Sequence, residues 1–216
     1  AGDSIEIDWM LQRIANQTHP HANQQPIYVI GISLGGNALL KWLGEKGRDA
    51  KKLVTGAAAI SVPLDLAAAG AALDVGFNQV YTRHFLNTLK VKAFDKLEQF
   101  PGLFDATALK KCTSIYDFDN LVTAPLHGFC NTDDYWRRSS SKQWLEHIQV
   151  PTLVINAQND PFMPASVLPT SEQVSAAVSL EFPAEGGHAG FIQGAFPGKL
   201  RWLPKRILSF FHYECV

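Results

Sequence analysis

The chain has 216 residues, 46% of them hydrophobic and 18% charged, with a formal net charge of −1. That length holds one large domain or two small ones with a sizeable core, and the composition is ordinary for a soluble globular protein. Near-neutral charge without a basic cluster argues against a nucleic-acid partner, and no apolar run is long enough to span a bilayer. Cys112, Cys130 and Cys215 are odd in number and have no C-x-x-C spacing, which fits reduced thiols in a cytoplasmic protein with neither a disulfide framework nor a zinc site.

Asp3-Ser4-Ile5-Glu6 reads as a capping box, and Ile5, Trp9 and Ile14 recur at helical spacing to about Asn16. Because the chain enters this helix directly from Ala1-Gly2, it reads as cut from something longer. Residues 18–25, with Pro20 and Pro26 about them, form a loop. Ile27 to Ile32 is then a short apolar run rich in β-branched residues, the pattern of a strand buried on both faces of a parallel sheet. Gly31-Ile32-Ser33-Leu34-Gly35 fits G-x-S-x-G, in which a serine sits on a strained strand-to-helix turn and small neighbours let the backbone approach closely. Five residues alone are a weak signal; the strand before and the helix after supply the context that the motif requires. Asn37 to Glu45 forms that helix, with Leu39, Leu40, Trp42 and Leu43 on its apolar side. Its first N–H groups and the positive end of its dipole point towards Ser33. Residues 44–52 are a polar turn, and Leu53 to Val62 is a second apolar run that ends at Pro63. Helix, strand, helix and strand in alternation predict a parallel α/β sheet.

Residues 64–147 leave this alternation. Phe77, Tyr81, Phe85 and Leu89 recur every fourth residue, a second pattern runs from Val91 through Phe94 and Leu97 to Phe100, and Asp105 to Cys112 and Ser140 to His147 read as shorter helices. The segment is therefore expected to be a helical lid inserted between two strands, with most of its aromatic residues in the lid's own core. The sheet resumes with Val150 to Asn156 and ends with Val178 to Phe182, and Trp202 to Tyr213 is a closing amphipathic helix. Residues 1–63 and 148–216 thus make the core, and residues 64–147 the lid.

A serine hydroxyl attacks a carbonyl only when a base takes its proton, and the base needs an acid to orient it and to stabilise its charged form. In chains built on a G-x-S-x-G elbow the order is serine, acid, histidine. Ser33, Asp160 and His188 keep that order, and each follows the carboxyl end of an expected strand, where ligands bind in parallel sheets. Asp65 also follows a strand and is the alternative acid. His127 is the alternative base, although His188 alone sits between Gly-Gly and a small residue after a late strand. Asp133 and Asp134, beside Arg137 and Arg138, read as solvated or locally paired charge.

The stretch Gly31-Ile-Ser-Leu-Gly-Gly-Asn-Ala-Leu-Leu-Lys-Trp-Leu-Gly-Glu45 resembles the elbow of the YheT-like branch of the α/β-hydrolase superfamily. So do Tyr81-Thr-Arg-His-Phe85, Ala124-Pro-Leu-His-Gly-Phe129, Asp134-Tyr-Trp-Arg-Arg138, Asp160-Pro-Phe162 and Gly186-Gly-His-Ala-Gly-Phe191. The resemblance covers the whole chain and implies an α/β-hydrolase fold, with Ser33 as nucleophile, Asp160 as acid and His188 as base. It implies hydrolysis of carboxylic esters, lipid-like ones included, with a small-molecule ester as partner and no metal or organic cofactor. It also implies that about four strands precede this chain, together with a loop that supplies half of the oxyanion hole, leaving the Leu34 N–H as the donor present. The expectations are a serine ester hydrolase of low activity in this form, and an elbow strand that pairs with a missing N-terminal half or with another copy. The alternative is a non-catalytic binding module on a hydrolase scaffold, since fold does not fix function.

Overall fold

The computed structural model describes Gly2, residues 4–18 and residues 25–215. In chain order its regular elements begin with helix α1 (Ser4–Thr18), strand β1 (Tyr28–Ile32), helix α2 (Leu34–Lys46) and strand β2 (Gly56–Ile60). Helices α3 (Leu66–Leu73), α4 (Gln79–Gln99), α5 (Ala106–Lys111), α6 (Ile115–Phe118), α7 (Ala124–Leu126) and α8 (Thr132–Ser139) follow. Strands β3 (Thr152–Ile155) and β4 (Val178–Glu181) and helix α9 (Trp202–Tyr213) close the chain. The expected helix starting at Ser4 is present, while Asp3 of the capping box and most of the loop before β1 lie outside the described residues. No helix among the described residues is long and apolar enough to cross a membrane.

The chain divides into two compact units, Ala1–Asp65 with Ser139–Val216, and Leu66–Arg138. The first holds a four-stranded, wholly parallel sheet in the order β1-β2-β3-β4. Side chains alternate across a strand, so Ala57 and Ala59 face one layer and Ala58 and Ile60 the other. On the first face Leu39, Leu40, Trp42 and Leu43 of α2 pack with Val154, Leu145 and Ile148. On the second, Leu153 and Ile155 meet Ile207, Phe210 and Phe211 of α9. Alanines run through β2 because layers on both sides approach it closely; all five of its residues are buried.

β1 corrects the expectation of burial on both faces. Among the described residues it pairs with β2 alone, at the sheet edge, with Tyr28 in register with Gly56 and Ile32 with Ile60. Val29 packs towards α2, but Ile30 and Ile32 remain 51% and 56% exposed, because the α9 layer lies over β2 and β3 and touches β1 mainly through Phe211 on Tyr28.

The second unit is wholly helical. All of the two patterns but their end residues, Phe77 and Phe100, falls on one helix, α4, whose inward stripe is Thr82, Leu86 and Ala93. The expectation that most of the aromatics form a core fails for the leading row: Tyr81 and Phe85 lie on the more exposed side of that helix, and Phe77 just before it and Phe100 just after it are exposed as well. The buried core is instead Leu86, Ala93, Leu109, Phe118 and Val122, with Gly70 against the Trp136 ring, where a Cβ would come within 2.3 Å. Residues 139–147, expected in the insertion, belong to the first unit, where 142–147 form a 3₁₀ helix against α2.

Candidate active site

The turn from β1 into α2 places Ser33 at the start of the helix with φ 51° and ψ −126°, a conformation that costs a non-glycine residue of order 1–3 kcal/mol. Two contacts hold it there. The Ser33 N–H donates to the Ile60 carbonyl at 2.8 Å, which fastens the turn to the end of β2. Gly31 and Gly36 also touch backbone to backbone, since a Cβ on Gly31 would stand 2.7 Å from the Gly36 Cα. Gly35, the second glycine of the motif, faces open space. The close approach that the motif implied is therefore made by Gly31 with Gly36.

Asp160 follows β3 and His188 follows β4, so both arrive at the carboxyl edge of the sheet beside Ser33. His188 Nε2 lies 3.0 Å from Ser33 Oγ, and its Nδ1 lies 2.9 Å from Asp160 Oδ2 and 3.1 Å from Oδ1. The Asp160 side chain is fully buried, the His188 ring 24% exposed. The Phe162 N–H donates to Asp160 Oδ1 at 2.9 Å, and the Phe162 ring lies 4.5 Å from the imidazole between centroids. A buried carboxylate that accepts from Nδ1–H fixes the tautomer that leaves Nε2 free to accept a proton from the serine hydroxyl. The arrangement can therefore generate a nucleophilic alkoxide at a site reached from solvent.

Three asparagines that the sequence did not mark build the frame of this site. Asn159 Oδ1 accepts from the N–H groups of Gly186 and Gly187 at 3.0 and 2.9 Å, tying the histidine loop to the aspartate loop. Asn156 clasps Val62, accepting from its N–H at 3.1 Å and donating to its carbonyl at 3.0 Å, and so locks the ends of β2 and β3 together. Asn37, wholly buried, donates to the Ser139 carbonyl at 2.8 Å and accepts from the Ser141 N–H at 2.9 Å. Each is one side chain bridging backbone groups distant in sequence, and a lone asparagine gives no pattern by which to find it.

The alternatives fall elsewhere. The Nδ1 of His188 is taken by Asp160, not by Asp65. His127 is exposed at the end of α7, in the helical unit. Arg137 and Arg138 both pair with Asp134, at 2.7 and 3.2 Å, and Asp133 accepts from the Tyr116 hydroxyl, as expected for locally paired charge.

A family model described as the alpha/beta hydrolase fold matches residues 4–195. YheT of Escherichia coli (strain K12), a candidate esterase, is 36% identical over 209 residues, 96% of this chain and 60% of that protein. Phospholipase ABHD3 of Mus musculus is 29% identical over 203 residues, 93% of this chain and 49% of that protein. Among solved structures, the acylaminoacyl peptidase of Pyrococcus horikoshii aligns with 97% of this chain and 27% of its own, with a TM-score of 0.54 and 17% identity, a likeness of fold. The chain spans about half to three-fifths of the length of the sequence relatives it matches.

Proposed function

The chain belongs to the α/β-hydrolase fold family, and from that premise we propose that it hydrolyses carboxylic esters, with Ser33 as nucleophile, His188 as base and Asp160 as the acid that orients it. The observation that carries this reading is the unbroken hydrogen-bond chain from Ser33 Oγ through both ring nitrogens of His188 to a buried carboxylate. In the proposed reaction Ser33 Oγ bonds to the ester carbonyl carbon as its proton passes to His188 Nε2. The tetrahedral intermediate then collapses, and the leaving alkoxide takes that proton back from the imidazolium. Water, activated by the same nitrogen, releases the acid from the acyl-serine.

The negative oxygen of the intermediate needs donors. The first N–H groups of a helix have no intrahelical acceptor, and the Leu34 N–H, at the first position of α2, is the donor assigned to it. Each such donor contributes about 3–4 kcal/mol to the transition state. Acyl and lipid-like esters are the proposed substrate class, in keeping with relatives that carry the names candidate esterase and phospholipase.

The test is covalent labelling with a fluorophosphonate, followed by peptide mapping. Label on Ser33, lost in a folded Ser33→Ala variant together with ester turnover, is the expected result. A native chain that resists the label and turns over no ester would instead make this a binding module on a hydrolase scaffold.

A further inference from the structure

The helical unit has a cavity of its own. It has a volume of ≈ 540 Å³, within the range of small-ligand sites, and lies between α4 and the turn at residues 112–114. Its chemistry differs from that of an apolar lid pocket. Arg83, Asn87 and Lys90 stand at i, i+4 and i+7 on α4 and so share one face, and all three line the cavity with Thr113 opposite them. Leu86 and Thr82, both buried, form its floor.

These donors are not consumed by the fold. Lys90 Nζ donates to the carbonyls of Lys110 and Cys112, at 3.0 and 2.6 Å, which pins the turn to α4 and leaves the ammonium a third N–H. Among the described residues nothing pairs with the Arg83 guanidinium or with the side-chain amide of Asn87. One carboxyl group, Asp74, also lines the cavity, and Asp117 accepts from the Thr113 N–H at 3.4 Å, so a ligand's phosphate must sit on the Arg83 and Lys90 side. The result is a solvent-open recess lined by a guanidinium, an ammonium, an amide and a hydroxyl, all able to donate.

We propose that this cavity binds a phosphate group carried on a small polar body, held by Arg83, Lys90, Asn87 and Thr113. A guanidinium matches two phosphate oxygens at once, and an ammonium adds a point charge. A bare inorganic ion fills only part of ≈ 540 Å³, so room is left for the group that bears the phosphate. The proposal does not depend on the ester reading, and its readout is binding, not turnover.

The experiment is isothermal titration of the 216-residue chain with glycerol 3-phosphate and with inorganic phosphate, at matched ionic strength. A parallel arm measures sedimentation with vesicles of phosphatidylcholine containing phosphatidic acid, against vesicles of phosphatidylcholine alone. Saturable binding of glycerol 3-phosphate identifies a soluble ligand, and preference for the phosphatidic acid vesicles alone identifies a lipid headgroup. In either case Arg83→Gln should weaken binding about tenfold or more, the loss of a charge-assisted bidentate contact. Arg201→Gln, in the other unit, should leave it unchanged. Absence of saturable binding in every arm overturns the proposal. So does equal binding by a folded Arg83→Gln variant, which would place the phosphate elsewhere.

Discussion

Replacing Asp160 with asparagine removes one charge and leaves the number of non-hydrogen atoms unchanged, yet it should cost about 10⁴ in kcat. The reason lies in two hydrogen bonds. Asp160 Oδ1 accepts from the Phe162 N–H at 2.9 Å, while Oδ2 accepts from His188 Nδ1 at 2.9 Å. An asparagine there has one oxygen for two donors. The Phe162 N–H claims it, since an amide hydrogen cannot replace an acceptor, and the NH₂ then faces Nδ1. The imidazole must present Nδ1 as an acceptor, its hydrogen moves to Nε2, and the nitrogen 3.0 Å from Ser33 Oγ can no longer take the serine's proton. Wrong-tautomer changes of this kind in other serine hydrolases lower kcat about 10⁴-fold, equivalent to roughly 5–6 kcal/mol in the barrier. The assay is the rate of hydrolysis of a short-chain aryl ester and of fluorophosphonate labelling, each as a ratio to the parent chain, with circular dichroism to show that the variant folds. Asp65→Asn is the control and should stay within about threefold of the parent, since His188 does not contact it. An Asp160→Asn chain that keeps a tenth of the parent rate, or an Asp65→Asn chain that loses most of it, would refute the assignment of the acid.

Asn37→Ala should destabilise the fold by about 2–4 kcal/mol, because it strands the buried Ser139 carbonyl and Ser141 N–H together; urea unfolding measures this, and a loss under about 0.5 kcal/mol would show that the clasp contributes little. Asp119 is half-buried and carries a raised pKa, first through desolvation, which the hydrogen bonds from Thr123 and Trp136 only partly offset. A raised folded-state pKa favours the neutral acid, so this contribution is complete below the ordinary value of 3.8 and is lost as pH rises through the folded value. Asp119→Asn should therefore raise the urea midpoint at pH 7 and bring no gain below pH 3.8; an equal effect at both would exclude ionisation as the cause. The free edge of β1 should make the 216-residue chain associate with itself or with another strand-bearing segment, because its outer N–H and C=O groups and the exposed Ile30 and Ile32 lack a neighbour among the described residues. Light scattering across a concentration series, with Ile30→Lys as the blocking variant, reports it, and a monodisperse monomer at every concentration would count against it.

The fold was legible where one local pattern admits one outcome. Four short apolar runs became four parallel strands, and Trp202 to Tyr213 became a helix with the predicted bounds. The Ser33, Asp160 and His188 set was legible for a different reason: chain order and position after a strand suffice to bring three loops to one edge of a parallel sheet. What stayed hidden depends on contacts between distant segments. The Asn37 clasp reaches across 102 and 104 positions and the Asn156 clasp across 94, and neither leaves a periodic trace.

The exposed aromatic row of α4 marks that limit most sharply. Phe77, Tyr81 and Phe85 keep the four-residue spacing of a buried stripe, yet the buried stripe is Thr82, Leu86 and Ala93, displaced by one position around the helix. Periodicity reports that a helix has an apolar face without saying which face the neighbouring helices cover. Helix α4 has two such stripes about one residue apart. Its packing partners settle the choice: Leu109, Phe118 and Val122 meet Leu86 and Ala93, and Thr82 can enter the same interior because its hydroxyl donates to the Leu73 carbonyl at 2.7 Å. A polar residue satisfied by one hydrogen bond thus takes the inner position that hydrophobicity alone would have given to Tyr81 or Phe85. The aromatic side stays partly exposed, and the α4 face carrying Arg83, Asn87 and Lys90 lines a cavity instead of closing it.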